Sequence, residues 1–209
     1  MQGLNSITAA AAGCAPREAP RNRAVFAGCR ILAFSAVVMF LISSGKAQSA
    51  SVTEYQVKAA FLFHFAEFVT WPAGALGNAG DSFLICVLGD DPFHGDLETT
   101  IQGKILATRT VRVRHVKQMQ ETQTCHVLFI GKNEFKDVSS LAATLRNKPV
   151  LTVGESENFL QSGGIIRFCM EDRKVRFEVN QEAAEAANLK ISSRLLLLAK
   201  TVVKHEGGT

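Results

Sequence analysis

"SFLICVLGDDPF", Ser82 to Phe93, decides the fold of this chain. Its first half is an unbroken apolar run closed by Gly89. A strand covered on one face alternates, whereas a strand covered on both faces reads as a continuous run, so this is a buried strand of the parallel kind. Asp90-Asp91-Pro92 then opens a helix, with an acidic cap ahead of proline in the first turn. That helix is expected to reach about Ile101 and to stop near Gly103.

Working outward, two further runs repeat the first. They are "CHVLFIG", Cys125 to Gly131, and "PVLTVGE", Pro149 to Glu155. Between them "NEFKDVSSLAATLRNK" places Phe135, Val138, Leu141 and Leu145 on one helical face. "TRTVRVRHV", Thr108 to Val116, alternates instead. Val111 and Val113 take one side and Arg112 and Arg114 the other, as in a half-exposed strand whose edge is blunted by arginines. Glu155 to Ser162 resembles a short helix. "GIIRFCMEDRKVRFEVN" is a hairpin in which Ile166, Phe168 and Met170 lie in phase with Val175, Phe177 and Val179, with the turn at Glu171 to Lys174. Asn180 caps "QEAAEAANL", and "SSRLLLLAKTVV" reads as a closing helix capped by Ser192 or Ser193.

Ahead of the first strand, Val52 to Thr70 reads as a helix. Val57, Phe61, Phe65 and Phe68 recur on one face of a 3.6-residue period, widened by Leu62 and Val69. Lys58 borders that face, where its stem can lie along apolar surface. Trp71-Pro72 ends the helix, because the residue before proline leaves the α region. Phe63 and Trp71 are not explained by that face. With the glycine-rich loop that follows, they are expected to form an apolar contact patch for a partner. Buried strands alternating with helices, then a hairpin, give an α/β fold. The architecture expected is a three-layer sandwich with a mixed, mainly parallel sheet flanked by helices.

The N-terminus reads as a leader. Arg17, Arg21, Arg23 and Arg30 precede "ILAFSAVVMFLI", twelve apolar residues from Ile31 to Ile42. Twelve helical residues rise about 18 Å, short of a bilayer core of roughly 30 Å. Small residues follow, so residues 1–47 are expected to be a signal peptide cleaved between 45 and 50. The domain proper is expected over 52–204, with 205–209 a fraying tail. Residues 1–47 hold five basic residues and one acidic residue, so the net charge of +4 falls to zero, with eighteen residues of each sign. A neutral domain has no global pull toward nucleic acid. Cys14 and Cys29 leave with the leader. Cys86, Cys125 and Cys169 remain, an odd number, and an oxidising compartment leaves three possible pairings open.

No catalytic or metal-binding signature stands out. Asp90-Asp91 would need a further aspartate at another strand end to form a phosphoacceptor site, and "CHVLFIGK" ends in Gly131-Lys132. The five histidines form neither an i, i+4 pair on a helix nor an H-x-H. Phosphate-loop, dinucleotide and nucleophile-elbow motifs are absent. Cys169 lies on a strand with no motif around it. The expectation is therefore no enzyme, no cofactor and no metal. A small-molecule site remains open at the strand C-termini near Gly89-Asp90, and Arg112 and Arg114 stand open to an acidic partner.

Five blocks in order carry a family resemblance: "VKAAFLFHFAEFVTWP", "ICVLGDDPF", "CHVLFIG", "VLTVGESENFLQSGGIIRFCMEDRKVRFEVN" and "LKISSRLLLLAK". Together they run from about Tyr55 to Val203 and resemble the YfiR family of periplasmic regulators. The resemblance implies export to the Gram-negative periplasm, a homodimer, and repression of a membrane diguanylate cyclase through its periplasmic domain. Lower cyclic-di-GMP and less biofilm would follow. It also implies a disulfide between Cys86 and Cys125. A second, later bridge of the best-known relative is not expected, because only Cys169 is available for it. The alternative is a periplasmic small-molecule sensor acting on another membrane signalling protein.

Overall fold

The computed structural model describes residues 52–78, 80–132, 143–145 and 147–204. The expected leader, the tail, and most of the helix expected at 133–148 lie outside the described residues. Helix α1 spans Glu54–Glu67, then come β1 (Val69–Thr70), β2 (Phe83–Leu88), α2 (Asp96–Ile101), β3 (Ile105–Leu106) and β4 (Arg109–Val116). A 3₁₀ turn, η1, covers Met119–Thr124. Strands β5 (Val127–Ile130), β6 (Leu151–Gly154), β7 (Ile166–Glu171) and β8 (Lys174–Asn180) follow. The chain closes with α3 (Gln181–Ala186), β9 (Lys190–Ile191), α4 (Ser193–Leu198) and β10 (Thr201–Val203). No described helix is long and apolar enough to cross a membrane.

Eight strands form one mixed sheet in the order β10-β8-β7-β6-β5-β2-β4-β3. Strands β4, β2, β5, β6 and β7 are parallel, whereas β3 runs antiparallel to β4 and β8 antiparallel to β7, with β10 parallel to β8. Strands β1 and β9 make a separate antiparallel pair. The continuous apolar runs are buried as parallel strands require: β5 and β6 are buried at every position, and β2 at all but Leu84. Their two faces feed two cores. Phe83, Ile85 and Val87 point into the larger core under α1, with Phe65, Phe129 and Phe177. Cys86, Leu88, Leu128 and Ile130 point into a smaller core with Phe159 and Leu160. A core on each face of one sheet is the three-layer α/β arrangement expected.

Local chemistry explains most boundaries. Thr53 caps α1 in a capping box with Gln56, so the helix starts two residues after Val52. The helix ends at Glu67, and Val69–Thr70 pair with Ile191 and Lys190 instead of continuing it. The hairpin register is the one the alternation predicts: Ile166 faces Val179, Phe168 faces Phe177 and Met170 faces Val175. Asp172 and Arg173 make its two-residue turn, both at positive φ (49° and 60°). Asn180 caps α3 by accepting from Ala183 N at 2.9 Å.

Four expectations are corrected. The helix after Pro92 is only six residues, because Asp91 accepts from the Phe93 amide at 2.9 Å and holds a turn rather than capping a helix. Residues 155–162 form turns, not a helix. Phe159 is drawn down between Gly154 and Gly164, where a Cβ would stand 2.4 Å and 2.2 Å from its ring. The closing helix stops at Leu198, and Thr201–Val203 form an edge strand parallel to β8. Finally, Phe63 does not face away from the core. It is 6% exposed and belongs to the larger core with Leu97, Ile101 and Leu106.

Candidate functional site

Helix α1 places its two ends at opposite ends of the sheet. Its first turn lies beside Glu155, at the C-terminal end of β6, and Trp71, just past its last turn, lies against Phe83, at the start of β2. Each end carries a different set of functional side chains.

At the C-terminal end, Lys58 is buried to 4% exposure and contacts two carboxylates, Glu54 and Glu155, the second at 2.5 Å. Tyr55 completes the group: its hydroxyl donates to Glu155 Oε2 at 3.3 Å, and Lys58 Nζ lies 4.5 Å from its ring centre. Burial opposes the lysine charge, yet the hydrogen bonds that Lys58 donates to Glu155 and Glu54 overcome it and raise the Lys58 pKa. A lysine held charged is no nucleophile. Its geometry is that of an ion-paired clamp between α1 and the sheet.

The crossover from β4 back over β2 to β5 makes a topological switch point, the usual place for a ligand crevice in such sheets. Phe93 occupies it. The ring is 1% exposed and meets Tyr55 (5.5 Å) and Phe129 (4.8 Å) edge-on. Nearby, Asp91, Glu98 and His115 bring one ligand atom each within 4.8 Å, a grouping of single residues that sequence spacing does not reveal. His115 Nε2 already pairs with Glu98 at 2.8 Å, and all three are partly or fully exposed.

At the N-terminal end, Trp71 is half-buried. Its Nε1–H donates to the Ala66 carbonyl at 3.4 Å, and its ring stands edge-on to Phe83 and His126. The structure does not bring Phe63 and Trp71 together into one exposed patch, since Phe63 sits under the Lys104 ammonium, 5.4 Å from its ring centre. The glycine-rich loop after Trp71 is fixed by Arg109, which donates to the carbonyls of Leu76, Gly77 and Asn78. His126, 8% exposed, accepts from the Leu84 amide at 3.0 Å through Nδ1. Burial and the Arg109 charge hold its pKa below the usual histidine value.

Beside this end, Cys86 and Cys125 form a disulfide across 39 positions, with Cα atoms 5.9 Å apart. Cys169 is the free cysteine of the described domain. It is half-buried on the outer face of the hairpin, where burial and Glu178 raise its pKa and favour the protonated thiol. Around it, Arg167 pairs with Glu178 at 2.6 Å and Lys200 with Glu171 at 2.9 Å. Sequence reading missed one exposed feature: Leu197 and Leu198 on α4 are 85% and 63% exposed.

Comparison with known proteins bears on this arrangement. A search of curated proteins found no match. Among solved structures, the crystal structure of a conserved domain protein from Vibrio cholerae O1 biovar El Tor str. N16961 aligns at a TM-score of 0.48 and 9% identity. The alignment covers 72% of this chain and 60% of that one. The family described as YfiR/HmsC-like matches residues 55–200, which contain Tyr55, Lys58 and Glu155 of the charged clamp, the disulfide and the hairpin. The chain belongs to the YfiR/HmsC-like family.

Proposed function

We propose that this protein is a non-enzymatic periplasmic regulator. It binds the periplasmic domain of a membrane diguanylate cyclase and holds the enzyme inactive, lowering cyclic-di-GMP. Residues 1–47 serve as its signal peptide, and it acts as a homodimer. The observation that carries the reading is family membership across 55–200, nearly the full extent of the folded domain. The disulfide supports export, because such bonds persist in oxidising compartments. The protonated thiol of Cys169 and the ion-paired lysine lack the activation that covalent catalysis needs.

For the contact surface, Trp71 keeps partial solvent access, as Phe61 and Phe68 do, and Leu197 and Leu198 add exposed apolar area on α4. The test is co-expression of the exported protein with the host's membrane diguanylate cyclases, one at a time, and measurement of cyclase turnover in the isolated membranes. A drop for one cyclase is expected. Unchanged turnover for all of them overturns the proposal.

A further inference from the structure

We infer that the cavity beside the disulfide is a binding site for a small oxyanion, a molecule bearing a carboxylate or phosphate group, held by Arg112 and Arg114. The cavity has a volume of about 510 Å³, within the roughly 300–1,000 Å³ of small-molecule sites. Its wall includes Ser82 just before β2, Leu84 of β2, the two arginines of β4, Thr124 of η1 and His126. It stands independently of the proposed repression.

Three observations carry this. First, the two arginines share one face of β4 and both line the cavity. Arg112 stands in register with Leu84 and Arg114 with Cys86, on the side that carries the disulfide. Both are exposed, as charges on an edge segment are, and both help to line the concavity. Second, neither is ion-paired to a carboxylate among the described residues. Among the described residues Arg112 has no hydrogen-bond or ion-pair partner, and the one bond of Arg114 goes to the neutral Thr124 hydroxyl at 3.0 Å. Arg167, Arg176, Lys58 and Lys200 each meet a carboxylate. Asp81, which also lines the cavity, accepts from the Asn78 amide at 2.7 Å. Third, the walls are fixed. The Cys86–Cys125 bond ties η1 to β2 one residue from Thr124, and Arg109 pins the loop 76–78. Pre-organised walls spare a ligand the cost of ordering them. Paired guanidinium forks suit planar or tetrahedral oxyanions better than a monovalent halide.

The test is isothermal titration of the exported domain with citrate and with inorganic phosphate, each against chloride at constant ionic strength. The account expects saturable binding of at least one probe. It expects R112Q and R114Q each to weaken that binding by about tenfold or more. R176Q, which removes an exposed arginine elsewhere, should leave it unchanged. Unchanged melting temperatures of the variants confirm that the fold is retained. Failure of both probes to bind the folded wild-type domain overturns the inference, including the case in which the arginines serve only an acidic protein segment. Equal affinity in the R112Q/R114Q double variant also overturns it.

Discussion

Lys58 and Glu155, 97 positions apart in the chain, meet at 2.5 Å with side chains only 5% and 7% exposed. The pair fastens the N-terminal part of α1 to the end of β6. Breaking one side of such a pair leaves a buried charge without a partner, at a cost of about 3–5 kcal/mol. K58M should therefore lower stability by that amount in urea denaturation. The double variant K58M/E155Q should recover much of the loss. Because the folded pKa of Lys58 is raised above 10.5, its contribution is fully present at neutral pH and is lost only as pH climbs beyond that value.

His126 gives the opposite pH signature. Its folded pKa lies below 6.5, so the unfolded chain takes up the proton first. The histidine's contribution is intact above 6.5 and is lost as pH falls from there. Protonation of Nδ1 would also end its acceptance from the Leu84 amide. Denaturation at about pH 7.5 and about pH 5 should show an acid loss that H126N, whose side-chain oxygen can take the same amide, reduces.

The Cys86–Cys125 bond closes a loop of 39 positions. Chain entropy predicts a contribution of about 4 kcal/mol. The C86A/C125A variant should unfold at correspondingly lower urea concentration. Thiol titration of denatured, unreduced protein from the periplasm should find one free thiol, that of Cys169.

Phe159 and Gly164 set a steric requirement. A Cβ at Gly164 would stand 2.2 Å from the Phe159 ring, and the ring is buried at 1% exposure, with little room to move. G164A should destabilise the domain by about 1–3 kcal/mol. F159L should relieve part of that cost when combined with it.

Phe63 and Trp71 should now separate in mutagenesis. Truncating buried Phe63 to alanine is a core deletion worth about 3–5 kcal/mol, so F63A should lower the melting temperature whether or not a partner is present. W71F keeps the ring packing against Phe83 and loses the bond to Ala66. It should leave stability close to wild type while weakening capture of the cyclase, which a pull-down with the purified cyclase domain measures.

These outcomes mark where sequence was informative. The runs around Ile85, Phe129 and Val153 and the alternation of the hairpin identify strands directly, because burial on two faces and on one face leave different periods. Strands β1 and β9 are two residues each and leave no period to read. Phe63 was misread because α1 packs on α2 as well as on the sheet, so its apolar surface wraps beyond one stripe. The Thr-Val-Val of β10 had a β-branched signal that the leucines before it masked. The Cys86–Cys125 pairing came only from family resemblance, since three cysteines allow three pairings. The open charges of Arg112 and Arg114 were legible, but the Lys58 clamp and the cavity that the arginines line were not, because both are built from distant positions.

The most direct test of the regulatory account is cellular cyclic-di-GMP in a strain lacking this gene, complemented by the exported form or by a form without residues 1–47. The account predicts a rise on deletion that the exported form reverses and the leaderless form does not. No rise on deletion, or full reversal by the leaderless form, would contradict it.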